Sequence, residues 1–197
     1  MSEASSPCPD AAPGGGLRRR SLLVGCTAGA AGLFTSGRAP AAPVTPAVRV
    51  VWPRIELLDG TVVTPESWRG VAAIVVFWST TCPFCRRHNV HVEKLFRRTV
   101  GRPLRVLGVA LDRDAATVRR YMADHRYGFA VTLDDGRLQR QMSDRRVIPT
   151  TCVVGADGHL LQTLHGEMFE EDVLELPLRV GQAQAQGDRA GPRLAVR

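Results

Sequence analysis

The chain has 197 residues, 44% hydrophobic and 23% charged, which suits one globular core with appendages. Its net charge of +7 is almost all arginine, Lys94 being the only lysine, and acidic residues interleave with the arginines, as in Asp112-Arg113-Asp114 and Asp144-Arg145-Arg146. That mixed-charge pattern speaks against a nucleic-acid-binding design, and five cysteines with one close pair speak against both a disulfide framework and a two-pair zinc site.

Residues 1–16 are rich in Pro, Gly, Ser and Ala without periodicity and read as disordered. Arg18-Arg19-Arg20 then precedes a weakly apolar run, Leu22 to Phe34, which is too short for a membrane span and has the length of a signal-peptide core. Arg19-Arg20-Ser21-Leu22-Leu23 resembles a twin-arginine export signal, and Ala39-Pro40-Ala41 offers small residues for cleavage. Residues 1–41 are therefore expected to be an export signal, which places the protein in the periplasm. A competing reading is a lipobox, Leu23-Val24-Gly25-Cys26, which lipidates Cys26; the apolar stretch before it is shorter than usual. Contact with a membrane is expected only through an uncleaved signal or a lipidated Cys26. Residues 42–53 read as an extended Pro/Ala linker.

The folded part is expected over residues 54–180. Arg54 to Leu58 reads as a short strand ending in Asp59-Gly60, with Thr61 to Val63 returning, which predicts a hairpin. Thr64-Pro65 predicts an N-cap and first position of a short helix ending before Gly70. Ala72 to Phe77 is apolar on both faces, as in a central strand covered on both sides. A helix follows up to Gly101, with Val90, Leu95 and His91 marking its apolar stripe. Leu104 to Ala110 is a second buried strand, and Asp114 caps a helix over Ala115 to His125. Ala130 to Leu133 is a short strand and Leu138 to Met142 a helical turn. Thr151 to Val154 and His159 to His165 form a hairpin around Asp157-Gly158. Glu170 to Leu176 is a last helix that Pro177 stops or kinks, and residues 181–197 read as a disordered tail. The alternation implies an α/β fold: a mixed sheet with helices on both faces and an N-terminal hairpin extension.

Chemistry concentrates at Phe77-Trp78-Ser79-Thr80-Thr81-Cys82-Pro83-Phe84-Cys85. Two cysteines on the first turn of a helix meet unpaired N–H groups and the positive end of the helix dipole, which favour a thiolate. That is the chemistry of thiol–disulfide exchange. A static disulfide or half a zinc site is the alternative, but no second CxxC or well-spaced histidine set accompanies the pair.

Over about Ile55 to Leu176 the chain resembles the thioredoxin fold, and within it the exported TlpA/ResA-like thiol–disulfide oxidoreductases. The resemblance rests on Val76-Phe77-Trp78-Ser79-Thr80 leading into Cys82-Pro83-Phe84-Cys85, on Leu107-Gly108-Val109-Ala110-Leu111-Asp112, on Val147-Ile148-Pro149-Thr150-Thr151 and on Asp157-Gly158 with Gly166. It implies that Cys82 is the nucleophile and Cys85 the resolving thiol. It implies a cis Ile148-Pro149 bond lying against the pair, with the Ile148 backbone free to pair with a substrate strand. Trp78, Pro83, Phe84, Ile148, Pro149 and Thr150 then line or support the substrate groove. No cofactor or resident metal is implied. The expected partners are protein thiol or disulfide substrates, apocytochrome c cysteines being the family's commonest client, and an upstream dithiol electron donor.

The departures are as informative. Related reductases usually carry a glutamate where this chain has His88, and a proline where it has Val90; the buried aspartate of cytosolic thioredoxins falls at Val76. His88 reads two ways, as a replacement proton shuttle for the resolving thiol or as an exposed helix residue. His88 and His91 also have the spacing of a helical metal pair, without a third ligand nearby. Phe84 offers the thiolate no hydrogen bond, which argues for a middling potential and for reductase or shuttle work. Cys152 reads as a small buried apolar residue. Two rivals remain: a copper-delivery module using Cys82, Cys85 and His165, and a thiol peroxidase, which needs a Thr and a Pro where Ser79 and Val75 stand.

Overall fold

The computed structural model describes residues 48–134 and 136–189. The export signal, the lipobox, most of the Pro/Ala segment and residues 190–197 lie outside them. Two short strands, β1 (Ile55–Glu56) and β2 (Val62–Val63), pair antiparallel across the expected Asp59-Gly60 turn. Gly60 sits at φ 86°, where glycine carries no Cβ penalty. Pro65–Trp68 forms a 3-10 turn rather than an α-helix, and the Thr64 side chain does not cap it.

The main sheet holds β3 (Ala72–Trp78), β4 (Leu104–Ala110), β5 (Ala130–Leu133), β6 (Thr150–Val154) and β7 (Leu160–His165) in the order β5-β4-β3-β6-β7. The first three are mutually parallel; β6 pairs antiparallel with β3, and β7 antiparallel with β6 at the other edge. Every residue of β3 is buried, as an apolar run in a doubly covered strand requires. Its alternating side chains feed two cores. Ile74, Val76 and Trp78 pack with α1 (Pro83–Thr99), α2 (Ala115–His125) and α4 (Glu170–Arg189). Ala73, Val75 and Phe77 pack with α3 (Arg137–Met142) and with Val50, Ile55 and Trp68.

Three further expectations need correction. Residues 48–53 are not a free linker: the Val50 N–H donates to the Gly158 carbonyl at 2.9 Å, Val50 is buried, and Trp52 stacks on Trp68 with centroids 3.9 Å apart. Pro177 does not stop α4, which continues to Arg189, so residues 181–189 are helical. Val173, Leu176 and Val180 anchor one face of that helix in the core, and this packing outweighs the lost backbone hydrogen bond. The apolar stripe of α1 excludes Val90, which is exposed. The buried face runs through Cys85, His88, Asn89, Val92, Leu95 and Thr99, the three- and four-residue spacing of a helix. Among the described residues no helix is long and apolar enough to cross a membrane.

Candidate active site

Parallel β3 delivers its chain to the carboxyl edge of the sheet, where α1 begins. Cys82 is the N-cap of α1 and Pro83 its first residue, a position where a missing N–H costs nothing. The Cys82 sulfur accepts the Cys85 N–H at 3.2 Å, as an N-cap side chain does, and its thiol points at the Ile148 carbonyl 3.9 Å away. Both thiols are free. Cys82 is partly exposed, whereas Cys85 is fully buried among Trp78, Val92 and Leu95. Burial, reinforced by the neighbouring Cys82, pushes the Cys85 thiol up to about 12, so it holds its proton at neutral pH.

Three loops converge on this pair. The Ile148–Pro149 bond is cis, and the segment leads directly into β6. Thr150 turns its hydroxyl inward, donating to the Val147 carbonyl at 2.6 Å and lying 3.2 Å from His165 Nδ1. The residues before Cys82 are held by Asp112, just past β4. Its carboxylate accepts the Thr80 N–H, the Thr80 hydroxyl at 2.5 Å and the Ser79 hydroxyl at 3.2 Å. Asp112 was legible only as part of a motif; its aim back at the Cys82 loop was not. Phe84, between the cysteines, is exposed, with the Arg87 guanidinium 5.0 Å from its ring centroid. Trp78 is fully buried, 5.3 Å from the Tyr121 ring, and its indole nitrogen has no partner.

His88 is not an exposed helix residue; it is completely buried. The Met168 N–H donates to Nδ1 at 3.3 Å, so Nε2 carries the ring proton and donates to the Thr151 hydroxyl at 3.0 Å. Desolvation first, and the nearby His91 second, lower its pKa to about 4, partly offset by Glu167, so the ring is neutral. The lone pair a proton shuttle would use is occupied by the Met168 N–H. His91 turns instead to Glu170, its Nδ1 3.5 Å from the carboxylate, away from any pairing with His88 around a metal. Among the described residues no group of three or more His, Cys, Asp and Glu could hold a metal ion, and His165 faces Thr150 and Asp144. Cys152 is buried on β6, its thiol 3.5 Å from the Met142 carbonyl and pushed up to about 12 by burial.

Sequence reasoning missed Glu93. It lies on α1, largely buried, and accepts the Gly128 N–H at 2.7 Å while Arg97 caps its other oxygen. It ties the cysteine helix to the loop entering β5. A charged residue on the buried face of an amphipathic helix was the available signal.

The arrangement is a partly exposed sulfur at a helix N-terminus, backed by a buried protonated thiol and faced by a backbone carbonyl. It can form and resolve a mixed disulfide. The Redoxin family model matches residues 39–176. The thiol–disulfide oxidoreductase ResA of Halalkalibacterium halodurans is 27% identical over 121 residues, covering 61% of this chain and 69% of the relative. A thioredoxin-family thiol:disulfide interchange protein of Chlorobium tepidum superimposes with a TM-score of 0.62 at 23% identity, over 71% of this chain and 97% of its own. A secreted Mycobacterium tuberculosis disulfide oxidoreductase superimposes with a TM-score of 0.57 at 19% identity, over 68% and 97% respectively. At these identities the two superpositions speak for the fold.

Proposed function

The chain belongs to the redoxin family and is a thiol–disulfide oxidoreductase of thioredoxin fold, and on that premise we propose that Cys82 is its nucleophile and Cys85 its resolving thiol, working as a reductase on protein disulfides of the cell envelope. The observation that carries the reading is the asymmetry of the pair: Cys82 partly exposed at the N-cap, Cys85 buried with its proton held.

The Cys82 thiolate attacks one sulfur of a substrate disulfide. A Cys82–substrate bond forms, the substrate S–S bond breaks, and the first substrate sulfur departs as a thiolate. Cys85 then loses its proton and attacks Cys82, forming the Cys82–Cys85 disulfide and releasing the second substrate thiol. Two electrons pass from the dithiol to the substrate, and an upstream dithiol restores the pair by the same exchange in reverse. Desolvation makes the second step depend on how Cys85 is deprotonated, and the departing thiolate is the nearest base. His88 is assigned the task of fixing α1 against β6, because both ring nitrogens are already engaged. Pro83, Phe84 and Ile148, which reach the surface, are assigned to the groove that holds the substrate, and the buried Trp78, Pro149 and Thr150 to its support.

Reduction of insulin disulfides tests the assignment. Cys82→Ser is expected to abolish it, and retained activity overturns the roles. The direction is tested by equilibrating the pair with glutathione: a potential below about −200 mV fits a reductase, and one near the −120 mV of a strong oxidant does not. Apocytochrome c cysteines are the client class we favour, from the family resemblance. Residues 1–41 are read as the twin-arginine export signal. Replacing both Arg19 and Arg20 with Lys is expected to stop accumulation of the mature form outside the cytoplasm, and unchanged export overturns that reading.

A further inference from the structure

A cavity of about 660 Å³ lies between the segments that carry Asp112, Gln139 and Ile148, outside the groove residues already assigned except for Ile148. Ile148 lines one wall, and its carbonyl is the group that faces Cys82. Asp112 lines another, and its carboxylate is the anchor of the loop entering Cys82. The cavity is therefore bounded by both loops that hold the nucleophile.

Its polar groups are unbalanced in a specific way. The two carboxylates are occupied: Asp112 by Ser79 and Thr80, and Asp134 by the backbone N–H groups of Arg137, Leu138 and Gln139. The donors are not. Among the described residues the guanidinium groups of Arg113, Arg140 and Arg146 have no hydrogen bond or ion pair. Exposed arginines alone would be a solvated face. Gln139 is different: it lines the same cavity, is only 6% exposed, and its carboxamide nitrogen is buried without a partner. A buried unspent donor costs free energy until an acceptor reaches it. Spent acceptors and unspent donors together select an acceptor-rich anion, and guanidinium groups match carboxylates in bidentate geometry.

We propose that this cavity is a specificity subsite for the side-chain carboxylate of an acidic residue next to the reacting cysteine of an extended polypeptide substrate. The proposal rests on the reading that Cys82 attacks substrate disulfides. A polypeptide is the occupant because the cavity is continuous with the Ile148 loop, along which an extended chain would lie. Its volume also takes two or three residues rather than one carboxylate.

The test uses the full chain, pre-reduced, in single turnover against two disulfide-linked peptides that differ only in Glu or Gln beside each cysteine. The Glu peptide is expected to react at least about fivefold faster, an advantage that falls below about twofold in Arg140→Glu and in Arg146→Glu. Arg102→Glu, at the opposite end of the sheet, is expected to keep the full preference. Equal rates for the two peptides, a preference surviving both cavity variants, or an equal loss in Arg102→Glu overturns the subsite. So does a preference confined to glutathione disulfide over neutral hydroxyethyl disulfide, which assigns the cavity to a small molecule. If neither peptide is reduced at all, the thiol–disulfide reading itself fails and takes the subsite with it.

Discussion

The His88 imidazole on α1 lies 3.0 Å from the Thr151 hydroxyl on β6, a polar bridge between the cysteine helix and the strand that follows Pro149. Because burial, with His91 nearby, keeps the ring neutral, stability depends on pH. The unfolded ring takes a proton near 6.5 and the folded ring only near about 4. Between those values the unfolded chain binds the extra proton. The stabilisation is therefore whole above pH 6.5 and is lost as pH falls towards 4, at up to ~1.4 kcal/mol per pH unit and on the order of 3 kcal/mol in all. Urea denaturation at pH 7.5, 6.5, 5.5 and 4.5 checks this. The steepest loss is expected below 6.5 in the wild type, and a flatter profile in His88→Gln; identical slopes in the two proteins would mean that His88 is not the group responsible.

Thiol reactivity should divide sharply among the three cysteines of the folded part. Thiolate character and access govern alkylation, and Cys85 and Cys152 are both buried with pKa values near about 12. Brief iodoacetamide treatment of the reduced native protein at pH 7.5 is expected to label Cys82 at least tenfold faster than the other two. Mass spectrometry of tryptic peptides reads the sites, with urea-unfolded protein as the equal-reactivity control. Rapid native labelling of Cys85 would contradict the asymmetry on which the mechanism stands.

Asp112 is a positioning residue whose effect should be visible in rate before stability. Its carboxylate gathers one backbone N–H and two hydroxyls from Ser79 and Thr80, immediately before Cys82. Asp112→Ala leaves those donors to water, at a cost of about 1–3 kcal/mol. It also frees the loop that sets the Cys82 N-cap geometry. We expect a several-fold slower reduction of insulin and a shifted pH profile for Cys82 alkylation, with Asp112→Asn recovering part of both. A loss of stability with an unchanged alkylation profile would make the role purely structural.

Much of this architecture was legible because it is periodic. An unbroken apolar run fixed β3, and Asp114 followed by an amphipathic stripe fixed α2, whose N-cap bonds to the Ala116 and Thr117 N–H groups are present. The burial of His88 was readable too, since it lies three residues from Cys85 on the same helix face; the resemblance drew attention to its chemistry instead of its spacing. What resisted reading depends on contacts between distant segments. Residues 48–53 have a linker's composition, yet backbone bonds from Val50 and to Val48 fasten them to the β6–β7 hairpin. Backbone pairing leaves little mark on composition. Helix α4 passes through Pro177 because Val173 and Leu176 before the proline and Val180 after it reach the core, and no local rule weighs those. Asp112, Glu93 and Gln139 each face groups 30 or more residues away or stand in a cavity, so their roles appear only once the sheet has brought the loops together.

Gly108 is the position where the sheet leaves no room behind the site. It lies in mid-β4, opposite Val76 on β3 and Val131 on β5. A Cβ there would come within 2.8 Å of Phe129 Cε2, 2.9 Å of Trp78 Nε1 and 3.1 Å of Val131 Cγ2. Neither ring is the free end of a flexible chain: Trp78 is fully buried and Phe129 nearly so. Gly108→Ala must therefore push Trp78 or the strand, at a cost of ~1–3 kcal/mol for overpacking. Trp78 shares its core with Cys85 and lies beside Tyr121, so the displacement reaches the floor of the dithiol. The urea midpoint is expected to fall and insulin reduction to slow together. Gly128→Ala is the comparison, because its nearest contact, Phe96 Cε1 at 3.3 Å, can yield by a few tenths of an ångström. It should lose less than half as much stability and leave the rate unchanged. Equal losses in the two variants would show that the effect is generic to glycine replacement and owes nothing to Trp78.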